Sequence, residues 1–309
     1  MASGSNEPYE ESRGANRAAM KFPWFPGHMA RAKQTMKHYL SGIDLVIEVL
    51  DARIPRTSRN PDIKSITENR PRVVALAKRD LADPEETKAW LRILKADGLG
   101  VYAVDAETGE GVEDVVSGIS RLAGELMLKL AGRERRPRPF RVMVIGIPNV
   151  GKSSLINRIA GRKSAKTGAK PGITRGKQWI RVGRAIDLLD MPGVLSPRMD
   201  DPLDLFKLAA TGALTEESFD EIRVAEDLLE TLRDRAYHAL TARFKLGDIE
   251  GQDGHTILQL IGKKRGCLGL GGVIDVSRAA QVVLSEFRKG LLGRVTLDPA
   301  VDDRLEAES

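Results

Sequence analysis

A single cysteine, Cys267, stands among the 309 residues. No intrachain disulfide can form, and a reducing compartment, the cytoplasm, is the expected location. No apolar run approaches the roughly 20 residues that a membrane-spanning helix requires. The first twenty residues hold Glu7, Glu10 and Glu11 and no apolar stretch, which argues against both a secretory signal and an acid-poor transit peptide. Residues 1–20 are expected to be a disordered tail. Internal repeats and Cys/His clusters of metal-binding spacing are also missing, which sets aside solenoids and zinc modules.

Acidic residues are missing from one stretch in particular. Arg162, Lys163, Lys166, Lys170, Arg175, Lys177, Arg181 and Arg184 follow one another with no intervening Asp or Glu, whereas a solvated helix face usually mixes signs. The net charge of +6 and isoelectric point near 9.4 suit a polyanionic partner. Two readings of the stretch stand: a surface that meets RNA, or a loop kept soluble by its charge.

What is present begins with 41% hydrophobic residues, enough for two domains with cores of their own. Strand-like runs at Leu45–Leu50, Arg72–Leu76 and Val101–Val104 alternate with helix-like stretches at Glu85–Lys95 and Val112–Leu130, an α/β pattern. Gly132–Pro139 is a charged, proline-containing connection into a further strand. After Pro197, apolar residues recur at three- and four-residue spacing over Leu203–Ala213, Ser218–Tyr237 and Ala279–Leu291, which predicts a helical second domain. Lys263, Lys264 and Arg265 are candidate RNA contacts there or a merely solvating triplet, and the chain from Asp298 is expected to fray.

The strongest local signal is Gly146-Ile147-Pro148-Asn149-Val150-Gly151-Lys152-Ser153, placed between the apolar run Arg141–Ile145 and the helically spaced Ser154–Ala160. Its glycine, lysine and hydroxyl spacing is that of a phosphate-binding loop, in the strand-loop-helix setting the motif requires. Backbone N–H groups of Asn149, Val150, Gly151, Lys152, Ser153 and Ser154, with the positive end of the helix, can surround a polyphosphate. Lys152 would reach the β and γ oxygens and Ser153 would hold Mg²⁺.

The base is read elsewhere. Ala77-Lys78-Arg79-Asp80 follows the buried-type run Arg72–Leu76. The two carboxylate oxygens of Asp80 match guanine N1–H and N2–H₂, and the stem of Lys78 can cover the base plane. Asp105-Ala106-Glu107-Thr108-Gly109 suits a second base loop, with Ala106 offering its N–H to the guanine oxygen. Downstream of the phosphate loop, Lys170-Pro171-Gly172-Ile173-Thr174 places a switch threonine for Mg²⁺ and the γ-phosphate. Asp190-Met191-Pro192-Gly193 adds a carboxylate for the ion and an unobstructed N–H.

Here the base-reading block precedes the phosphate loop, the reverse of the usual order. With Lys21–Met29 near the start and Asp51-Ala52-Arg53-Ile54-Pro55 after the first strand, the chain resembles the circularly permuted GTPases of the YlqF/YawG type over about residues 21–290. The resemblance implies an α/β fold: a circularly permuted phosphate-loop GTPase domain with a doubly wound, mostly parallel sheet over 21–197, then a smaller all-helical ANTAR-like, RNA-binding domain over 198–297. It implies a monomeric GTPase in late assembly of the large ribosomal subunit, with rRNA, ribosomal proteins and the subunit precursor as partners. GTP or GDP, Mg²⁺ and K⁺ are the expected ligands.

Two positions depart from the pattern. Ala77 stands where an asparagine usually contacts guanine and ties neighbouring loops, and Val194 stands where many GTPases carry a water-orienting glutamine. Through the resemblance, His28 takes the role of positioning water, and Asn149 that of helping to hold K⁺ in place of an arginine finger. Read without it, His28 is a turn histidine and Asn149 a turn residue. A GTPase acting on a non-ribosomal protein, and a nucleotide-binding RNA module with negligible turnover, remain as alternatives.

Overall fold

The computed structural model describes residues 40, 42–61, 63–68, 70–130, 138–161, 178–183, 185–191 and 201–300. They form two compact units, one of residues up to 191 together with 294–300, the other of 201–293.

The first unit is built on six strands. Leu45–Asp51 (β1), Arg72–Ala77 (β2), Gly100–Val104 (β3), Phe140–Ile145 (β4), Gln178–Val182 (β5) and Ile186–Asp190 (β6) lie in the order β3-β2-β1-β4-β6-β5. Every neighbouring pair is parallel except β5 with β6. The central strands are predominantly apolar and show no in–out alternation because both faces are covered. All seven residues of β1 are buried, including Glu48 and Asp51. The edge strand β5 shows only Ile180 to the core and leaves Trp179 partly exposed. It was missed in the sequence for that reason: one buried residue in five gives no period.

Four helices of this unit are described: Ile63–Ile66 (α1), Pro84–Ala96 (α2), Val112–Leu130 (α3) and Lys152–Ala160 (α4). Helix α2 starts where the chain says it should. Asp83 caps it by accepting from the N–H groups of Glu85 and Glu86 at 2.8 and 2.9 Å, with Pro84 in the first turn. Trp90 and Leu94 of α2 pack against Leu50, Val74, Leu76 and Val101 on one face of the sheet. On another part of it, Val46, Met143, Ile145 and Leu189 pack with Ile63 and Ile66.

The second unit is helical: Pro202–Thr211 (α5), Glu221–Arg235 (α6), Tyr237–Phe244 (α7), Gly254–Arg265 (α8) and Val276–Arg288 (α9). Asp201, Asp220, Asp253 and Asp275 cap α5, α6, α8 and α9. Helix α6 is the hub, with Val224, Ala225, Leu228, Leu229 and Leu232 buried against α5, α8 and α9. Gly254 opens α8 against the α6 backbone, where a Cβ would lie 2.2 Å from the Glu226 carbonyl oxygen. The stretch read as Ser218–Tyr237 divides into α6 and α7 at Ala236.

The C-terminal boundary differs from the sequence reading. The helical unit ends at Gly293 rather than at 297, and Asp298 is buried rather than frayed. It is held by the N–H and hydroxyl of Thr57 at 2.8 and 3.1 Å. The expected tail over 1–20 lies outside the described residues.

Candidate nucleotide site

The carboxyl ends of β4, β2, β3 and β6 lead directly into the residues singled out for nucleotide binding, the place where open α/β sheets bind ligands. The phosphate loop leaves β4 at Gly146, where a Cβ would fall 2.5 Å from the Val49 carbonyl oxygen, so only glycine fits. Asn149 adopts a left-handed conformation (φ 55°), which asparagine tolerates. Gly151, at φ 108°, is the residue from which α4 springs. The loop therefore delivers a helix N-terminus with Lys152, Ser153 and Ser154 in its first turn.

Lys152 is buried, at 6% exposure. Its ammonium donates to the carbonyls of Gly146 at 3.1 Å and Ile147 at 2.8 Å, which leaves its third donor for a phosphate oxygen. Burial brings its pKa down to about 8, with the Asp190 carboxylate opposing the shift and Lys78 adding to it.

Asp190, the last residue of β6, is buried and accepts the Ser153 hydroxyl on Oδ2 at 3.2 Å. Its Oδ1 is buried without a hydrogen-bond partner, and burial raises its pKa against the pull of Lys152 and Ser153. A buried, unsatisfied carboxylate oxygen costs stability. Together with the Ser153 hydroxyl it makes a pair of hard oxygen donors, which is what Mg²⁺ takes when phosphates and waters complete its shell. The donor set fits the ion.

The base loops lie beside this. Lys78, with φ 60°, donates to Asp51 Oδ2 at 2.9 Å, and the same carboxylate accepts Arg53 through Nε at 3.0 Å and Nη2 at 2.8 Å. Burial alone would push the Asp51 carboxyl up, but Arg53 and Lys78 together hold it well below the usual carboxylate range. Burial lowers the Lys78 ammonium while Asp51 resists. The Lys78 stem is thus anchored at its tip. The Asp80 side chain is exposed to solvent; partial desolvation in its loop and the neighbouring Asp105 raise its pKa.

The two base loops are tied together by the Arg79–Glu110 ion pair at 2.8 Å and by the Arg79 N–H on the Val104 carbonyl at 3.3 Å. Asp105 shapes its own loop: its carboxylate accepts from Glu107 N–H at 2.7 Å and from the Thr108 hydroxyl at 2.6 Å, and Ala106 lies in the same turn. Arg158 of α4 donates to the Glu107 carbonyl at 2.6 Å and so joins the phosphate helix to the second base loop. Ala77 is buried at the end of β2, its methyl close to Gly151 of the phosphate loop.

The described residues thus bring together Lys78, Asp80, Asp105, Ala106, Asn149, Val150, Gly151, Lys152, Ser153, Ser154 and Asp190. His28, Thr174 and Gly193 lie outside them, as does the basic stretch apart from Arg181. Sequence reasoning gave no role to Asp51 and Arg53, although the acid-x-base spacing was visible, and none to Arg158 or to residues 294–298.

The family description "50S ribosome-binding GTPase" matches residues 141–263. Ribosome biogenesis GTPase A of Priestia megaterium is 42% identical over 290 residues, covering 94% of this chain and 99% of that protein. Mitochondrial ribosome-associated GTPase 1 of Xenopus tropicalis is 37% identical, covering 89% and 94%. Among solved structures, GNP-bound YlqF from T. maritima is similar with a TM-score of 0.62 and 25% identity, covering 88% of this chain and 99% of that one. With the loop Gly146–Ser153, the loops after β2 and β3 and the buried Asp190 carboxylate assembled at the carboxyl end of one sheet, and with a relative 42% identical over 94% of its length, the chain belongs to the family of ribosome biogenesis GTPase A.

Proposed function

We propose that this protein hydrolyses GTP as an assembly factor in late maturation of the large ribosomal subunit. In this reading it binds rRNA and the subunit precursor in its GTP state and is released after hydrolysis. The observation that carries the reading is the convergence of Lys152, the Ser153–Asp190 pair and the Lys78/Asp80 loop on one sheet edge, in a chain whose relatives are named for ribosome biogenesis. The strand order supports circular permutation: the base-reading strand β2 precedes the phosphate-loop strand β4 in sequence, while both point their carboxyl ends to one site.

Guanine is held by Asp80, with the Lys78 stem on the base plane and the Ala106 N–H on the base oxygen. Lys152 and the N–H groups at the start of α4 hold the phosphates. Ser153, Thr174 and Asp190 would hold Mg²⁺, which would supply positive charge beside the phosphates as negative charge builds there. Asn149 contributes to a K⁺ site, Gly193 offers its N–H to the γ-phosphate, and His28 orients the attacking water in place of the glutamine that Val194 replaces. The basic residues 162–184 and the helical unit, an ANTAR-like module, meet rRNA. The protein acts as a cytoplasmic monomer.

The test is GTP hydrolysis in KCl with and without purified large subunits, using small subunits and ATP as controls. Stimulation by large subunits alone is expected. Turnover indifferent to every ribosomal particle would refute the proposal.

A further inference from the structure

Arg294–Ala300 is the first stretch of chain after the helical unit, yet it is part of the α/β unit. Val295 N–H donates to the Leu81 carbonyl at 3.1 Å and Leu297 N–H to the Arg53 carbonyl at 2.7 Å. Thr296 Oγ1 accepts from Asp83 N–H at 3.2 Å. Asp298 anchors the far end on Thr57, and its carbonyl accepts the Trp90 indole N–H at 2.9 Å. Val295, Thr296, Leu297 and Asp298 are all buried.

At the near end, the Arg294 guanidinium donates through Nε to the Ala82 carbonyl and through Nη2 to the Arg79 carbonyl, both at 3.0 Å. The carbonyls engaged by Arg294 and Val295 therefore flank Asp80 on both sides: Arg79 before it, Leu81 and Ala82 after it. A planar guanidinium with fixed donor directions is suited to bridging two such oxygens. The loop's own first position is Ala77, whose methyl can make no hydrogen bond.

We propose that Arg294, with the buried segment behind it, is a positioning residue for base recognition: it fixes the direction in which Asp80 presents its carboxylate, the restraint that Ala77 cannot supply. The inference rests on the proposed contact of Asp80 with guanine. Such a contact is two-pointed, one oxygen for N1–H and one for N2–H₂, so it depends on the carboxylate's orientation as well as its presence.

The experiment measures GDP and IDP affinity on the full-length protein, because hypoxanthine lacks the N2 amine and the GDP/IDP ratio reports whether both Asp80 oxygens are engaged. Arg294→Ala is expected to weaken GDP by about tenfold, the cost of one to two charge-assisted hydrogen bonds, while IDP changes much less, so the ratio falls. With GTP, KM should rise and kcat at saturation should hold. Arg294→Lys, keeping one donor to one carbonyl, should recover part of the ratio. Arg138→Ala, which removes a two-bond guanidinium contact to Asp44 near the opposite end of the sheet, should leave the ratio as it is.

If Arg294→Ala does not fold, Asp298→Asn weakens the same segment at its far anchor and should lower the ratio less. A folded Arg294→Ala or Asp298→Asn protein with an unchanged ratio, or with GDP and IDP weakened equally, overturns the inference. A wild-type protein that binds IDP as tightly as GDP overturns the reading of Asp80 and this inference with it.

Discussion

Raising the pH from 7 to 9 should weaken nucleotide binding and strengthen the nucleotide-free fold at the same time, and both effects trace to Lys152. In the free protein burial holds its pKa down to about 8, so the ammonium is mostly protonated at pH 7 and mostly neutral at pH 9. A polyphosphate against it favours the charged form and raises the pKa. Binding above pH 8 therefore takes up a proton, and the affinity falls by about tenfold between pH 7 and 9, which is about 1.4 kcal/mol. Stability moves the other way. The folded pKa lies below the ordinary lysine value of 10.5, so between those two values the unfolded chain holds more protons, and this group's contribution rises with pH across that window.

The assay is a titration with fluorescent GDP at pH 7, 8 and 9 and constant ionic strength, paired with thermal melting of the nucleotide-free protein. Lys152→Arg is the control, since a guanidinium stays charged throughout. Its profile carries any ionisation of the base, and the difference between the two profiles belongs to Lys152. Parallel profiles for wild type and Lys152→Arg would refute the argument. So would proton release rather than uptake on binding at pH 9, measured by calorimetry in buffers of different ionisation enthalpy.

Further outcomes are expected from four substitutions and one change of salt. Asp80→Asn should turn preference from guanine toward xanthine nucleotides by about tenfold or more, because an amide donates where the carboxylate accepted; competition between GDP and XDP measures it. Ala77→Asn should tighten GDP by roughly fivefold, one hydrogen bond of about 1 kcal/mol, if the loop accepts the usual tie; unchanged affinity would show that the site already makes good the loss. Asp51→Asn leaves the buried Arg53 and the anchored Lys78 without their carboxylate, and denaturant titration should show a loss of about 3–5 kcal/mol. His28→Ala should lower subunit-stimulated hydrolysis with GTP affinity kept, and Na⁺ in place of K⁺ should lower it too; full turnover in the variant, or equal rates in the two salts, removes the histidine or the ion from the mechanism.

How much of this was legible depended on whether an element is built from neighbours or from distant chain. The phosphate loop is local: strand, glycines, lysine and helix lie within about twenty consecutive residues, and their spacing alone sets their geometry. Continuous runs such as Leu45–Asp51 announce strands covered on both faces, whereas β5, with only Ile180 buried, shows no comparable pattern. Asp105 was read as a base contact, but its short bonds to Glu107 and Thr108 could not be told from base contacts by residue type, since a carboxylate accepts either. The return of Arg294–Asp298 was not legible at all: five residues without a period, bound to partners more than two hundred positions away. Residues 294–297 were read into the helical domain and Asp298 into a fraying end, whereas the segment is ordered by what it touches in the α/β unit. The tie that Ala77 leaves out is a local motif residue in other chains, and here the contacts available to replace it come from the opposite end of the sequence. A missing motif residue therefore says less about whether the base loop is held than about where to look for what holds it.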